Sequence, residues 1–424
     1  MGAAHRHDTL TAAEPAKRAA GRRVVVRILD KVVDPELPRL FYVLLAGRFV
    51  NMVGNSLVFP FLAVFLASRL GGSLASVGLA MGAYGVIQVV SVLSGGIFAD
   101  AWGRRRVMLV SLSAGAVAAY LVGIVGPLWA LFLALACMGF ALPLFQPASM
   151  ALVADLVPKE KLNESYALLR MASNAGIIIG PMVGGLLADH SFYWLFALDA
   201  VSLAAFWVLI WTNIPETRPT GHRETLATTV GGLKSVGRDR AFVGFAVLWA
   251  IAWLVYSQLY QVLPAYLHID LHFPAGIFGY LAAENALLVV ALQIPLARWS
   301  KRLPPFSAMA LGLSGYGLGF LVMLLASGLA GFALAVVVIT LGENVLNPAA
   351  ATWVATHAPA ELRGRYMGFQ SLASRCGSAV GPVMGGALLA HGAAPWLAVT
   401  VMVAGVGAAL LVRQSRGSVQ SLSA

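Results

Sequence analysis

The sequence carries little charge for its length. Of its 424 residues only 11% are Asp, Glu, Lys or Arg, whereas 59% are hydrophobic. Soluble globular proteins have roughly 25% charged residues, so this chain has too few polar side chains to cover a surface that faces water. The mean hydropathy of +0.81 agrees. The composition therefore excludes a set of soluble domains and indicates an integral membrane protein.

Cysteine, clustered histidine and nucleotide-binding motifs are also scarce or missing. The two cysteines, Cys137 and Cys376, lie inside apolar stretches, which argues against a disulfide framework. The eight histidines are scattered, so we expect no metal site, no cofactor and no enzyme activity. The phosphate-binding P-loop motif does not occur, which argues against an ATP-driven pump.

The chain instead contains long apolar stretches. There are about twelve of them, each of roughly the 20 residues that a helix needs to cross the hydrocarbon core of a bilayer. Because lipid offers no partner to backbone polar groups, these stretches must be helices, and the predicted fold is all-α. The predicted spans lie near 41–67, 76–99, 107–126, 129–154, 167–188, 192–213, 242–267, 276–297, 306–327, 331–355, 367–390 and 395–412.

Positive charge is concentrated in every second linker. The net charge of +11 does not indicate a nucleic-acid partner, because no basic run is interleaved with aromatic residues. The alternate linkers offer a single cation, Arg69. This asymmetry predicts cytoplasmic termini in a plasma or bacterial inner membrane protein that is surrounded by membrane lipids. The basic linkers carry Arg104, Arg105, Arg106, Lys159, Lys161, Arg298, Lys301, Arg302, Arg363 and Arg365.

An internal repeat divides the chain in two. Gly176-Ile-Ile-Ile-Gly180-Pro181-Met-Val-Gly184-Gly185 recurs 201 residues later as Gly377-Ser-Ala-Val-Gly381-Pro382-Val-Met-Gly385-Gly386. Two similar six-helix halves around a site near the membrane midplane are the architecture of an alternating-access transporter. The predicted organisation is a cytoplasmic tail 1–37, a bundle 38–214, a cytoplasmic linker 215–240, a bundle 241–412 and a cytoplasmic tail 413–424. In the first tail, 22–33 is amphipathic and either contacts anionic headgroups or is simply solvated.

The linker after the second span has a distinctive pattern, Gly96-Ile-Phe-Ala-Asp100-Ala-Trp-Gly103-Arg104-Arg105-Arg106. The carboxylate of Asp100 can cap a neighbouring helix N-terminus. Arg104 can pair with Asp155 at the end of the fourth span. A topology signal alone would explain the arginines, but neither Asp100 nor the spacing of Gly96 and Gly103.

This segment resembles the signature loop between the second and third helices of the major facilitator superfamily. The resemblance extends over nearly the whole chain after about Arg39 and implies the twelve-helix major facilitator fold. It also implies that Asp100 and Arg104, with Gly96, Gly103 and Asp155, form a latch that joins the two halves on the cytoplasmic side when the transporter faces outward. The counterpart in the second half, 296–302, lacks the aspartate, as is usual in the family.

The repeated glycine motif resembles the antiporter signature of the drug:proton antiporter branch. Gly176, Gly180 and Gly184 allow close helix packing, and Pro181 permits bending; Gly377, Gly381 and Pro382 repeat the pattern. Ordinary small-residue packing is the alternative. Arg48-Phe-Val-Asn51 and Gly364-Arg-Tyr-Met-Gly368-Phe are most similar to bacterial multidrug exporters of the MdtH type. Unlike many drug antiporters, the chain has no arginine in the fourth span.

Three carboxylates lie inside predicted spans: Glu343 in the tenth, Glu284 in the eighth and Asp199 in the sixth. An ionised carboxylate there costs roughly 2.5–3.5 kcal/mol, so each is a candidate for proton coupling. The alternative for each is a structural acid that stays protonated. We expect Glu343 to be the principal coupling acid and Glu284, reached across the cavity, to be the second. Asp199 ranks last, because sixth helices are peripheral in the family that the chain resembles.

Aromatic and amide side chains are candidate substrate contacts. Trp249, Trp253, Tyr256 and Tyr260 recur at i, i+4, i+7 and i+11 on the seventh span, where they either stack on a flat lipophilic substrate or face lipid. Arg48, near the end of the first span, is expected to reach the interface. Candidate orienting groups are Asn51, Asn55, Gln146, Gln258, Asn344 and Asn347.

Together these features predict a monomeric, proton-coupled antiporter that exports lipophilic, cationic small molecules. Two alternatives stay open. One is a major facilitator transporter for a sugar, lipid or other metabolite that works by proton symport or uniport. The other is a receptor or sensor built on a transporter scaffold, which would need no proton-coupled acid.

Overall fold

The computed structural model describes residues 36–158, 161–216, 236–359, 362–391 and 395–422. Within these ranges the chain is helical and has no strand, as the sequence predicts. Twelve long helices follow one another in the described part of the chain. They are α1 Arg39–Arg69, α2 Leu74–Trp102, α3 Arg104–Ile124, α4 Leu128–Leu156, α5 Leu162–Ala188, α6 Phe192–Asn213, α7 Arg240–Ile269, α8 Gly276–Ser300, α9 Pro305–Leu325, α10 Leu329–His357, α11 Arg363–Ala390 and α12 Pro395–Leu422.

Ten of the described helices, α1 to α10, are long and apolar enough to cross a membrane. The two others complete the predicted set of twelve but are less apolar. Helix α11 carries Ser371, Ser374 and Arg375 on the side that lines the central cavity. Helix α12 has a shorter apolar part, Trp396–Leu410, and continues to Leu422. The predicted boundary at 412 is therefore not a helix end.

Two predicted segments fall largely outside the described residues. The structure describes only the last two residues of the predicted tail 1–37, so the amphipathic segment 22–33 is not covered. Of the predicted linker 215–240, the structure describes the first two residues and the last five.

The helices pack as two equivalent halves, α1–α6 and α7–α12. In the first half α1 packs on α5 and α6, α3 packs on α4 and α6, and α2 packs on α4. In the second half α7 packs on α11 and α12, α9 packs on α10 and α12, and α8 packs on α10. Each pairing in one half thus has its counterpart in the other. Between the halves, α2 packs on α11 and α5 packs on α8.

The repeated glycine motif occupies equivalent positions in the two halves. A methyl group at Gly180 of α5 would overlap the Ser56 hydroxyl of α1, and one at Gly381 of α11 would overlap the Ser257 hydroxyl of α7. Ser56 and Ser257 are themselves separated by the repeat length of 201 residues. This correspondence confirms the predicted pseudo-symmetry of α5 and α11.

Helices α1 and α7 are both irregular at corresponding places. Helix α1 contains one 3-10 turn, Phe59–Phe61, and α7 contains one π turn, Gln258–Val262. Pro60 lies inside the first turn, and Pro264 lies two residues after the end of the second. A proline lacks the N–H that would continue the regular hydrogen-bond ladder, so each helix departs from α geometry beside its proline. Both irregular turns border the central cavity.

The two halves approach most closely at the end that carries the α1–α2 and α7–α8 linkers, which we call the tight end. A methyl group at Gly185 of α5 would lie 2.9 Å from Gly276 Cα of α8. A methyl group at Gly386 of α11 would lie 3.2 Å from Gly78 Cα of α2. Glycines therefore allow direct backbone contact and close this end. The opposite end carries the basic linkers, and we call it the basic end.

Candidate functional site: a central cavity

A cavity with three adjoining lobes lies between the two halves. The main lobe has a volume of about 430 Å³, the acidic lobe, which contains Glu343, about 300 Å³, and the arginine lobe, which contains Arg48 and Arg375, about 200 Å³. The main and acidic lobes share four wall residues, Phe59, Trp253, Tyr256 and Tyr260. The main and arginine lobes share Tyr84, Gln88, Gln146 and Arg375.

Glu343 lies at the centre of a hydrogen-bond network in the acidic lobe. Its Oε1 accepts a hydrogen bond from the Tyr256 hydroxyl at 3.2 Å, and its Oε2 accepts one from Asn285 Nδ2 at 3.3 Å. The Tyr260 hydroxyl donates to Asn285 Oδ1 at 2.7 Å. Asn285 Nδ2 also donates to the Thr340 hydroxyl at 2.8 Å. Helices α7, α8 and α10 thus surround one carboxylate with neutral donors.

An aromatic wall from α7 separates the main lobe from the acidic lobe. It consists of Trp253, Tyr256 and Tyr260, which the helical repeat places on one face. The ring centroids of Trp253 and Tyr256 are 5.3 Å apart, and those of Tyr256 and Tyr260 are 5.7 Å apart. Trp249, at the start of the stripe, is buried instead, and its Nε1 donates to the Ser374 hydroxyl at 2.8 Å.

The arginine lobe brings two cations from different halves to one wall. Arg375 of α11 donates from Nη2 to Gln146 Oε1 of α4 at 2.9 Å, which joins the two halves. Arg48 of α1 donates from Nε to the Ser173 hydroxyl of α5 at 2.9 Å. Arg48 therefore lines the cavity. The sequence alone predicts instead that this side chain reaches the membrane interface.

The structure brings seven of the predicted coupling and substrate residues to the cavity wall and places five elsewhere. On the wall are Glu343, Asn51, Asn55, Gln146, Trp253, Tyr256 and Tyr260. Gln258 is fully buried, and its Nε2 donates to the Gly381 carbonyl at 2.9 Å, so it joins α7 to α11. Asn344 is buried one position beyond Glu343, where the helix has turned away. Asn347 also lies outside the three lobes.

Glu284 and Asp199 do not line the cavity in this conformation. Glu284 is on the side of α8 that carries the exposed side chains of Tyr280 and Leu287, so its neighbour Asn285 is the residue that reaches Glu343. Asp199 is buried behind α1, where a methyl group at Gly54 would lie 2.8 Å from its Oδ1. The expectation that Glu284 is reached across the cavity is therefore wrong for this conformation.

Several residues of the cavity wall were not predicted from the sequence. Tyr84 and Gln88 of α2, Asn285 of α8 and Arg375 of α11 all line the cavity. Arg375 had a usable signal, since it is a cation in a predicted span and Ser371, Ser374 and Ser378 recur beside it at helical spacing. The amides had none, because an isolated Gln or Asn in a span does not reveal which helix face it occupies.

The predicted ion pair in the signature loop is formed, but inside one half. Arg104 Nε of α3 lies 3.2 Å from Asp155 Oδ2 of α4, and Arg104 Nη1 donates to the Ala99 carbonyl at 3.3 Å. Both partners belong to the first half, so this pair does not join the halves in this conformation. Gly96 and Asp100 lie in α2, and the side chain of Asp100 is outside what the structure describes.

A glutamate from the linker after α6 caps α3. Glu216 accepts hydrogen bonds from the backbone N–H groups of Arg105 at 3.1 Å and Arg106 at 3.2 Å. Gly103 has φ +99°, and its missing side chain leaves room for the Glu216 carboxylate. A carboxylate at this helix N-terminus is favoured by the helix dipole.

Comparison with known proteins places the chain in a family. The model of the Major Facilitator Superfamily matches residues 44–342 and 270–418. Multidrug resistance protein MdtH of Yersinia enterocolitica is 29% identical over 348 residues, which are 81% of this chain and 85% of the relative. MdtH of Salmonella typhimurium is 28% identical over 369 residues, which are 84% and 89% of the two chains.

Solved structures show the same fold at low sequence identity. A POT family transporter in complex with a thioalcohol-conjugated peptide superposes with a TM-score of 0.76 at 16% identity, over 89% of this chain and 96% of that one. The nucleoside transporter NupG superposes with a TM-score of 0.72 at 15% identity, over 88% and 97%. With two pseudo-symmetric six-helix halves, a cavity between them and a family match over nearly all described helices, the chain belongs to the Major Facilitator Superfamily.

Proposed function

We propose that this protein is a proton-coupled antiporter that exports lipophilic aromatic compounds by alternating access. The observation that carries the proposal is the position of Glu343. It is an acid in a membrane-spanning helix, on the wall of the central cavity and beside the aromatic wall. The relatives named multidrug resistance protein MdtH support a substrate range of this kind.

Competition for one carboxylate is sufficient for exchange. An ionised carboxylate inside a membrane protein is costly unless a proton or a cation neutralises it. Tyr256 and Asn285 can donate to ionised Glu343 but cannot cancel its charge, and Arg170 of α5 acts on it only through its electrostatic field, without an ion pair between the two described side chains. Glu343 therefore binds either a proton or the cationic group of a substrate, and the aromatic wall can stack on the substrate's rings.

Alternating access requires that the central cavity can be reached from each side of the membrane in turn, through the basic end and through the tight end. In this conformation the glycine contacts of α5 with α8 and of α2 with α11 close the tight end. If the basic linkers are cytoplasmic, as their charge predicts, substrate enters the cavity from the cytoplasm. Separation of the tight end then exposes Glu343 to the other side, where a proton displaces the substrate.

Replacement of Glu343 tests the proposal. In proteoliposomes, Glu343→Gln should abolish uphill export driven by a pH difference, because the side chain can no longer exchange a proton. Downhill movement of substrate should persist. The measurement pairs substrate flux with proton movement reported by a pH-sensitive dye. The matched control is Glu284→Gln, an acid of α8 outside the cavity, which should leave both unchanged. An E343Q protein that still concentrates substrate, with the same dependence on the pH difference, would contradict the proposal.

A metabolite transporter is the second candidate. The polar part of the main lobe favours it, because Gln88, Gln146, Gln261 and Ser374 could all bind a hydrophilic solute. The same assay separates the two functions. Substrate and protons move in opposite directions in an antiporter, in the same direction in a symporter, and independently in a uniporter.

A further inference from the structure

Two arginines in the cavity wall have no carboxylate partner among the described residues. We propose that Arg48 and Arg375 form a subsite for an anionic group of the substrate. The transported compounds would then carry a carboxylate as well as an aromatic body. This inference rests on the proposed function and narrows it, because a purely cationic substrate would leave the subsite empty.

The hydrogen bonds of the two arginines leave their charge uncompensated. Arg375 donates to the amide oxygen of Gln146, and Arg48 donates to the hydroxyl of Ser173. Both acceptors are neutral. A guanidinium has several N–H donors in a fixed plane and binds a carboxylate through two of them. Donors thus remain for a ligand after these contacts are made.

Positive and negative charge are segregated between the lobes. The arginine lobe is lined by both arginines together with amide, aromatic and apolar side chains, and none of its described wall residues is acidic. The acidic lobe contains Glu343 and no basic residue among its described wall residues, and the one cation whose charge acts on Glu343, Arg170 of α5, lies outside that wall. Asp199 lies behind the wall, against Gly54 and Ser202, and forms no ion pair with either arginine within the described part of the chain.

Two like charges in a cavity between apolar helices are costly, and a role in membrane topology does not explain Arg375. Arg375 lies roughly 18 Å along α11 from Arg363, at a rise of about 1.5 Å per residue, so it is far from the helix end where a basic side chain could reach the interface. An anion between the two guanidinium groups would offset their repulsion and their desolvation.

The two arginines also come from different halves, which gives the subsite a role in the transport cycle. Arg48 belongs to α1 and Arg375 to α11. An anion held by both would join the halves beside the existing Arg375–Gln146 bond. A ligand that binds one conformation more tightly shifts the equilibrium towards it. Occupation of the arginine lobe would therefore favour the conformation described here, in which both arginines line one wall.

A matched pair of dyes tests the inference on the full-length protein. Rhodamine B carries a free carboxylate, and its ethyl ester lacks that charge but keeps the same cationic aromatic body. Fluorescence anisotropy with the purified transporter gives both affinities. The wild-type protein should bind the acid about tenfold more tightly than the ester, which is the size of one hydrogen-bonded charge interaction.

Substitutions then assign the preference to the subsite. Arg375→Gln should remove the preference for the acid over the ester, while continued binding of the ester shows that the variant is folded. Arg48→Gln should weaken acid binding in the same way. Arg375→Lys should keep part of the preference, because it retains the charge but not the planar fork. Arg298→Gln, at an exposed position of α8, is the matched control and should change neither affinity.

Each contrary result has a distinct meaning. If the wild-type protein binds both dyes equally, or if R375Q weakens both alike, the inference is wrong while the proposed function stands. If inorganic phosphate raises the affinity for the ester in the wild-type protein but not in R375Q, a free anion fills the lobe and the assignment to a substrate carboxylate is overturned. If neither dye binds the wild-type protein, the proposed function is contradicted together with the inference.

Discussion

Asp239 joins three helices of the second half outside the membrane. It precedes α7 and accepts hydrogen bonds from the Phe242 backbone N–H at 2.9 Å, from His357 Nε2 of α10 at 2.8 Å and from the Tyr366 hydroxyl of α11 at 3.0 Å. Partial burial alone would raise the pKa of Asp239, but these three donors outweigh it and hold the pKa below the usual value of this carboxyl. The ionised form is therefore stabilised in the folded protein.

This residue should make the stability of the second half sensitive to acid. Because the folded-state pKa of Asp239 is lowered, its contribution is present above the unfolded-state pKa of about 3.9 and is lost as the pH falls through the folded value. Asp239→Asn should lower stability near neutral pH by about 1 kcal/mol, the usual worth of a hydrogen-bonded site. Melting temperatures of the two proteins, measured from neutral pH to below pH ~4, should converge at the acid end.

Asp270, at the other end of α7, serves as a control because its pKa is shifted in the opposite direction. Partial burial raises the pKa of Asp270, with His272 opposing, so its ionised form is disfavoured in the folded protein. Asp270→Asn should therefore not reduce stability at neutral pH. A neutral-pH loss with D270N as large as that with D239N would show that the effect at Asp239 is not specific.

At the scale of single residues, the sequence shows which charged residues lie in a membrane span, but it does not show which face of the helix they occupy. Glu343 could be predicted because an acid in an apolar span is costly and therefore conspicuous. Glu284 is equally conspicuous, yet its neighbour Asn285 is the residue in the network. A rotation of about 100° separates adjacent helix positions, and only the neighbouring helices decide which of the two faces the cavity.

At the scale of the helix, α8 begins without a capping side chain of its own. Asp189, directly after α5, supplies the cap from the other half and accepts a hydrogen bond from the Gly276 backbone N–H at 3.0 Å. Helix α2, its counterpart at the same end, is capped by its own Ser73. The cap of α8 therefore exists only while the tight end is closed.

Asp189→Ala should accordingly favour the conformation in which the tight end is open. Loss of a helix N-cap costs about 1 kcal/mol, which corresponds to roughly a fivefold change in the equilibrium between the two conformations. The measurement is the distance distribution between spin labels placed on α5 and α8 near this end. Ser73→Ala is the matched control: it removes a cap within one half and should leave the distribution unchanged.

Helix positions were predictable because each span must match the thickness of the bilayer, but helix irregularities were not. Pro60 and Pro264 indicate a break in the ladder, yet they do not indicate that α1 makes a 3-10 turn and α7 a π turn. The continuation of α12 to Leu422 was also missed. Hydropathy detects only the apolar part of a helix, whereas the helical hydrogen bonds can continue beyond it.

At the scale of the whole molecule, the duplicated sequence predicts the pseudo-symmetry but not the conformation. Gly180 against Ser56 and Gly381 against Ser257 follow from one repeat. Which end of the molecule is closed cannot follow from it, because both conformations of a transporter share one sequence and differ by only a few kcal/mol. The glycine contacts of the tight end are the features that select the conformation described here.

Enlarging one of these glycines should open the tight end. A side chain at Gly386 would overlap the backbone of α2, and relief of overpacking is typically worth about 1–3 kcal/mol. Gly386→Val should therefore shift the conformational equilibrium about tenfold towards opening. Gly405→Val is the matched control, since a methyl group at Gly405 meets no described atom within 4 Å.

The reporter is Ser374→Cys in the main lobe, in a background with Cys137→Ser and Cys376→Ser. An impermeant thiol reagent applied from the tight end should label this cysteine faster in G386V, whereas equal rates in all proteins would show that the glycine contacts do not hold this end closed.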